Sequence, residues 1–137
     1  MPRIIAIDYG TKRVGLAVTD ELKIIATPLG TIHAKDVIEH LKKYTTANAV
    51  ETFVVGLPKQ MDGSASQSER HIPAFLNALQ KNFPNIPIVR YDERFTSKIA
   101  SRSLIESGVK KKDRKNKELL DTVSAVLILQ DYLKTIQ

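Results

Sequence analysis

The chain alternates between apolar runs and stretches in which apolar residues recur every three or four positions. Ile4–Ile7 and Phe53–Leu57 are almost unbroken apolar segments, which is typical of strands that are covered on both faces. Shorter apolar segments bounded by polar or turn residues predict three more strands. We therefore expect five strands, over Ile4–Asp8, Val14–Val18, Lys23–Leu29, Thr52–Pro58 and Ile86–Glu93.

Helical periodicity appears after the third strand and returns through the rest of the chain. Apolar residues three and four positions apart mark one face of each predicted helix. The third of these segments begins at Thr96, which can cap a helix, and ends at Gly108, since a glycine can close one. We expect helices over Ala34–Thr45, along the stripe from Ile72 to Leu79, from Thr96 to Gly108 and over Glu118–Lys134.

The order of these elements predicts an α/β domain with three layers. The first three strands are joined by short connections, so they should form an antiparallel meander. Strands four and five follow long helical crossovers, so they should run parallel to the first strand in a five-stranded mixed sheet flanked by helices. Pro28 cannot donate a ladder hydrogen bond, which places the third strand at a sheet edge. We expect a single domain over residues 1–137.

Composition narrows the class of protein. The chain has no cysteine, which excludes disulfides and thiolate metal sites, and its three histidines are scattered. No apolar run approaches the ~20 residues that span a bilayer, and the apolar run at the start is too short for a signal peptide. These features predict a cytoplasmic protein without a membrane anchor.

Positive charge is concentrated in one segment. The chain carries 21 basic and 15 acidic residues, a net charge of +6, and the run "KKKDRKNK" at Lys110–Lys117 contributes six bases against one aspartate. Such a run is either a solvated surface or a binding site for a polyanion. Its position before the last helix favours contact with nucleic-acid phosphates through Lys111, Lys112 and Lys115.

Acidic residues interrupt the apolar pattern at three places. Asp8 ends the first strand, and Glu93 ends the fifth. Asp121 lies on the last helix and is followed at helical spacing by Ala125 and Ile128, so its stripe is expected to point inward. Ligands of open α/β sheets gather beyond the carboxyl ends of the parallel strands. We expect the three carboxylates to converge there, although Asp8 taken alone could equally cap a turn.

Converging carboxylates predict a divalent cation. Acidic side chains in a partly buried place repel one another unless they are neutralised. Oxygen ligands without cysteine or clustered histidine suit Mg²⁺ or Mn²⁺, and pairs of such ions assist phosphodiester cleavage. The predicted chemistry is therefore metal-dependent nuclease activity of the two-metal type.

Four motifs, spread over nearly the whole chain, closely resemble one family. "DYGTKRVGLAVTD", "VVGLPKQMDG", "YDERFTS" and "LDTVSAVLIL" are similar to the motifs of the YqgF/RuvX family, which consists of RuvC-like proteins with an RNase H-like fold. The resemblance implies a bacterial nuclease that matures the 5′ end of 16S rRNA. Members of this family were earlier labelled Holliday junction resolvases. Its acids fall on Asp8, Glu93 and Asp121.

The chain departs from the Holliday junction resolvases at two positions. Where those relatives carry a glutamate on the fourth strand, this chain has Gly56-Leu57-Pro58, so Glu93 would take that place. Where they carry a second aspartate on the last helix, this chain has Ser124 three residues after Asp121 and Glu118 three before, so Glu118 is a candidate fourth ligand.

Further basic residues lie inside the motifs. Each could contact substrate phosphate or could be solvated, and Arg94 could instead pair with a neighbouring carboxylate. With the three lysines of the basic run, they complete the predicted substrate contacts: Lys12, Arg13, Lys59 and Arg94.

Other functions remain open at this stage. The protein could be a non-catalytic RNA-binding assembly factor of the ribosome, or a resolvase of Holliday junctions or other structured DNA. The Asp-x-Gly-Thr turn at Asp8 also resembles the phosphate-binding turn of sugar kinases and actin-like ATPases, but those need two such domains. No apolar stripe demands a partner subunit, so we expect a monomer or a weak homodimer.

Overall fold

The sheet is built from the apolar runs that the sequence pattern marks. The computed structural model describes residues 2–9, 12–57, 72–92 and 117–136, with the backbone alone for Leu57, Asp92 and residues 117–122. The strands are β1 (Arg3–Tyr9), β2 (Arg13–Thr19), β3 (Ala26–His33), β4 (Val50–Leu57) and β5 (Ile88–Asp92). The helices are α1 (Val37–Ala47), which follows a 3-10 turn (Ala34–Asp36), α2 (Ile72–Asn82) and α3 (Lys117–Ile136).

The five strands form one mixed sheet in the order β3-β2-β1-β4-β5. β1 and β2 pair antiparallel, as do β2 and β3, whereas β4 pairs parallel with both β1 and β5. The predicted meander and the two parallel crossover strands are therefore confirmed. So is the edge position of β3, the strand that contains Pro28.

Helices cover both faces of this sheet and give the predicted three layers. Ile5, Ile7 and Phe53 pack on one face with residues of α1 and α2. Ala125, Ile128 and further apolar residues of α3 pack on the other face, against Ile4, Ala6, Ala17 and Val54. The alternation along β1 explains this division, because successive side chains of a strand point to opposite faces. Within the described residues, no helix has the length and hydropathy needed to cross a membrane.

β3 starts and ends later than the predicted Lys23–Leu29. Residues 23–25 belong to the turn, because the Asp20 carboxylate accepts hydrogen bonds from the backbone N–H groups of Ile24 (2.7 Å) and Ile25 (2.9 Å). Lys23 has a positive φ of 59°, which takes it out of the strand conformation. The apolar sequence of this turn resembles a strand, but its side-chain hydrogen bonds prevent strand pairing.

β3 contains a bulge at Leu29, its predicted end, and continues beyond it. Leu16 pairs with Gly30 while Ala17 pairs with Pro28, so Leu29 is the extra residue on the edge strand. Gly30 adopts a φ of 125°, a conformation that favours glycine. The strand then continues to His33, opposite Arg13.

The described helices and strands otherwise differ from prediction only at their ends. α1 begins at Val37 rather than Ala34, since the His33 Nδ1 atom accepts a hydrogen bond from the Lys35 N–H (3.2 Å) and holds a 3-10 turn before it. β4 begins at Val50 and β5 at Ile88, two residues from each predicted start. The helix predicted from Thr96 to Gly108 lies outside the described residues.

Candidate functional site

Asp8 lies at the carboxyl end of β1, one residue before the strand ends, and is half-buried. It pairs with Gly15 of β2, which is buried and has no side chain. Tyr9 stacks on Phe75 of α2, with ring centroids 4.4 Å apart, so Tyr9 faces the α1 and α2 layer. Because side chains alternate along a strand, Asp8 faces the opposite layer, which is formed by α3.

α3 is the helix that carries Asp121. Its stripe at Ala125 and Ile128 is fully buried, as the sequence predicts, and packs on the sheet face to which Asp8 belongs. Ser124, which takes the place of the second aspartate of the resolvases, is buried with 5% of its surface exposed. The fold thus packs the helix of Asp121 against the sheet face to which Asp8 belongs.

β5 is tied to α3 by a bond that the sequence did not predict. The Tyr91 hydroxyl donates a hydrogen bond to the Asp131 carboxylate, with an oxygen-to-oxygen distance of 3.0 Å. Tyr91 precedes Asp92, the last residue of β5, and Glu93 is the next residue of the chain. The bond holds the end of β5 against α3. Glu93 follows β5 in the chain, and α3 is the helix of Asp121.

Two of the predicted phosphate contacts lie at the same end of the sheet as Asp8. Arg13 is the first residue of β2 and is half-buried, and Lys12 precedes it and is exposed. The Lys12 carbonyl accepts a hydrogen bond from the Ala34 N–H (2.9 Å), which fixes its backbone against the end of β3. Both cationic side chains are therefore carried by backbone that is held next to the carboxyl end of β1.

The remaining predicted site residues lie outside the described residues. Asp8 is the predicted ligand whose side chain the structure describes, and Asp121 is placed by its backbone. Within the described residues, no group of three or more histidine, cysteine or acidic side chains is placed to hold a metal ion. The convergence of three carboxylates stays a prediction. Outside the described residues lie Lys59, Glu93, Arg94, Lys111, Lys112 and Lys115.

The comparison with known families rests on almost the whole chain. A family model described as RuvX, Holliday junction resolvase, matches residues 2–135. The chain belongs to the RuvX family. The resemblance seen in the four sequence motifs is thereby confirmed.

Relatives within this family share about half of their residues with this RuvX chain. A protein of Flavobacterium psychrophilum is 53% identical over 133 residues, which cover 97% of both chains. A protein of Christiangramia forsetii is also 53% identical, over 97% of this chain and 98% of its own. A protein of Bacteroides fragilis is 46% identical over 98% of both. Each of the three bears the name "Putative pre-16S rRNA nuclease".

Solved structures share the fold of this RuvX chain. RuvC of Thermus thermophilus, in complex with a Holliday junction substrate, matches with a TM-score of 0.61 at 16% identity, over 98% of this chain and 96% of its own. A fowlpox virus resolvase in complex with Holliday junction DNA matches with a TM-score of 0.59 at 10% identity, over 98% of both chains. At these identities the likeness establishes the RuvC-like, RNase H-like fold.

Proposed function

We propose that this protein is a metal-dependent nuclease that cleaves phosphodiester bonds at the 5′ end of the precursor of 16S rRNA. The observation that carries the proposal is the position of Asp8. Its carboxylate stands at the carboxyl end of β1 and faces the layer of α3, the helix on which Asp121 lies. The substrate is inferred from the shared name of relatives that match over at least 97% of this chain.

The donor set fits Mg²⁺ or Mn²⁺. Asp8 is half-buried and lies beside the buried Gly15, so its carboxylate is partly withdrawn from water and gains from a neutralising cation. Together with Glu93 and Asp121 it would supply the oxygen ligands that these ions prefer. A bound ion supplies activation of water and stabilisation of the leaving oxygen. Glu118 would be the candidate for a fourth ligand.

The protein's own side chains would orient the substrate. Lys12 and Arg13 lie at the end of the sheet where Asp8 stands, and each can neutralise a phosphate oxygen. The bond between Tyr91 and Asp131 would hold β5 and α3 together while Glu93, which follows Tyr91 in the chain, and Asp121, which lies earlier on α3, bind a metal ion. Lys59, Arg94, Lys111, Lys112 and Lys115 would extend the contacts along the nucleic-acid backbone.

The test compares substrates and metals in one assay. Purified protein is incubated with precursor 16S rRNA, unstructured single-stranded RNA and a four-way DNA junction, each with Mg²⁺, with Mn²⁺ and with a chelator. We expect cleavage of the precursor that requires a divalent ion. Preferential cutting of the DNA junction would instead favour a resolvase, and tight RNA binding without cutting under any metal would favour an assembly factor.

Asp8→Asn is the decisive variant, and it is our first prediction. The change removes a ligand charge and preserves shape, so cleavage should fall by roughly 100-fold or more while RNA binding is retained. Glu39→Gln is the matched control, because Glu39 is exposed on α1, in the layer opposite α3. Equal cleavage by the wild type and Asp8→Asn would contradict the proposed site.

A further inference from the structure

The turn between β2 and β3 exposes three large apolar side chains within a short segment of the chain. Leu22 is 62% exposed, and Ile24 and Ile25 are each 61% exposed. Single exposed aliphatic residues are common on protein surfaces, but several of them in one turn are a feature of interaction surfaces. We refer to residues 20–25 as the apolar turn.

The apolar turn is held in one conformation by its own hydrogen bonds. The Asp20 carboxylate accepts from the N–H groups of Ile24 and Ile25, and the Asp20 carbonyl accepts from the Lys23 N–H at 3.0 Å. The Lys23 side chain reaches out to Glu51 of β4, with a distance of 2.6 Å between its Nζ atom and a carboxylate oxygen. A partner that binds this surface therefore meets side chains on backbone that is already ordered, which lowers the entropy cost of binding.

The apolar turn lies at the opposite end of the sheet from Asp8. It follows Thr19, whose hydroxyl accepts a hydrogen bond from the Ile4 N–H near the start of β1. Asp8 is four residues further along β1, about 13 Å away at the usual rise of a strand. A partner seated on the apolar turn would leave the carboxyl end of β1 open to substrate.

Charge around the apolar turn opposes that of the chain as a whole. Asp20, Glu21 and Glu51 outnumber the two cationic side chains that pair with them, Arg3 and Lys23, which gives a local net charge of −1 in a chain of +6. Glu21 is 60% exposed and lies 3.6 Å from Arg3. An acidic and apolar surface repels nucleic-acid phosphates and complements a basic protein surface that contains an apolar groove.

We propose that the apolar turn docks this nuclease onto a basic protein of the precursor ribonucleoprotein particle in which its RNA substrate is packaged. The inference rests on the proposed function, because that function places the substrate among the basic proteins that bind ribosomal RNA. Leu22, Ile24 and Ile25 supply the apolar contact, and Glu21 supplies the charge that selects a basic partner. The docking surface and the cleavage site are then separate, and each can be disabled alone.

The experiment measures binding to two probes with the full chain. The first is naked precursor 16S rRNA, and the second is the same RNA assembled with purified small-subunit proteins. The wild type should bind the assembled particle more tightly than the naked RNA. Replacement of both isoleucines, Ile24→Ser with Ile25→Ser, should weaken binding to the particle by about tenfold or more and leave binding to naked RNA unchanged.

Two further variants make the result specific. Glu21→Lys should weaken binding to the particle but not to naked RNA, because added positive charge favours a polyanion. Pro84→Ser is the control, since Pro84 is an exposed residue between α2 and β5, and β5 forms the edge of the sheet opposite to β3. Circular dichroism of each variant verifies that it is folded.

Three results would overturn the inference. They are equal affinity of the wild type for both probes, equal loss of affinity for both probes in the isoleucine variant, and concentration-dependent self-association of the wild type that the isoleucine variant abolishes. The last result would assign the surface to a second copy of the chain. Binding is measured without cleavage, so failure of the nuclease assay would refute the proposed function and leave this test intact.

Discussion

Asp20 shows how one side chain decides a local structure. Its carboxylate accepts hydrogen bonds from the backbone N–H groups of Ile25 and Ile24, which lowers the pKa of Asp20 below its usual value of 3.8. A carboxyl whose pKa is lowered on folding stabilises the folded state above its unfolded pKa, and this contribution is lost as the pH falls through the folded pKa. The apolar turn should therefore loosen in acid.

Asp20→Asn tests this effect. An amide accepts more weakly than a carboxylate, so the free energy of unfolding should fall at pH 7, and the difference from the wild type should shrink below about pH 4. Urea unfolding at both pH values measures it. Asp36→Asn is the control, since Asp36 precedes α1 without a capping hydrogen bond from its side chain. A difference that persisted unchanged in acid would contradict this account.

The local pattern of apolar residues predicted the elements in which backbone hydrogen bonding agrees with that pattern. β1, β4 and α3 carry long apolar runs or stripes, and the structure confirms them with changes only at their ends. β3 begins later than predicted because the Asp20 carboxylate accepts hydrogen bonds from the backbone of Ile24 and Ile25, although these residues are typical of strands. No local pattern predicts the bond between Tyr91 and Asp131, which joins residues 40 positions apart.

The bond between Tyr91 and Asp131 leads to a prediction about the packing of β5 against α3. Tyr91→Phe removes a hydroxyl that donates to a half-buried carboxylate and should lower the free energy of unfolding by about 1–2 kcal/mol. Urea unfolding measures the change. Tyr132→Phe is the control, since Tyr132 is half-buried on the same helix. Equal stability of Tyr91→Phe and the wild type would show that the bond does not hold these elements together.

At the scale of the whole molecule, the fold was predictable because several signals agree on it. The short connections predict the antiparallel meander, the long crossovers predict the parallel strands, and the proline predicts the edge position of the third strand; the structure has all three features. The candidate site was predictable only in part, because its acids are distant in sequence and only the topology could bring them together. Asp8 lies on the sheet face that the helix of Asp121 covers, as expected, whereas Glu93 is related to β5 by sequence alone.

The distribution of charge over the molecule gives the last prediction. Lys111, Lys112 and Lys115 belong to the basic run before α3, and they lie within ten residues of Asp121 in the sequence. We therefore expect substrate phosphates that bind these lysines to lie near the proposed site. Each phosphate contact on a single strand adds about 0.7 to the slope of log affinity against log salt concentration. Replacing the three lysines with alanine should flatten that slope by roughly 2 and weaken binding to all sequences alike.

A matched variant separates a phosphate site from a general effect of charge. Lys42, Lys43 and Lys81 are exposed on α1 and α2, in the layer opposite α3, and their replacement lowers the net charge by the same three units. If the run preceding α3 contacts phosphate, the first triple variant flattens the slope and the second leaves it near the wild-type value. Equal slopes in both variants would mean that the run acts only through net charge, and the RNA path would then be assigned to Lys12 and Arg13 beside Asp8.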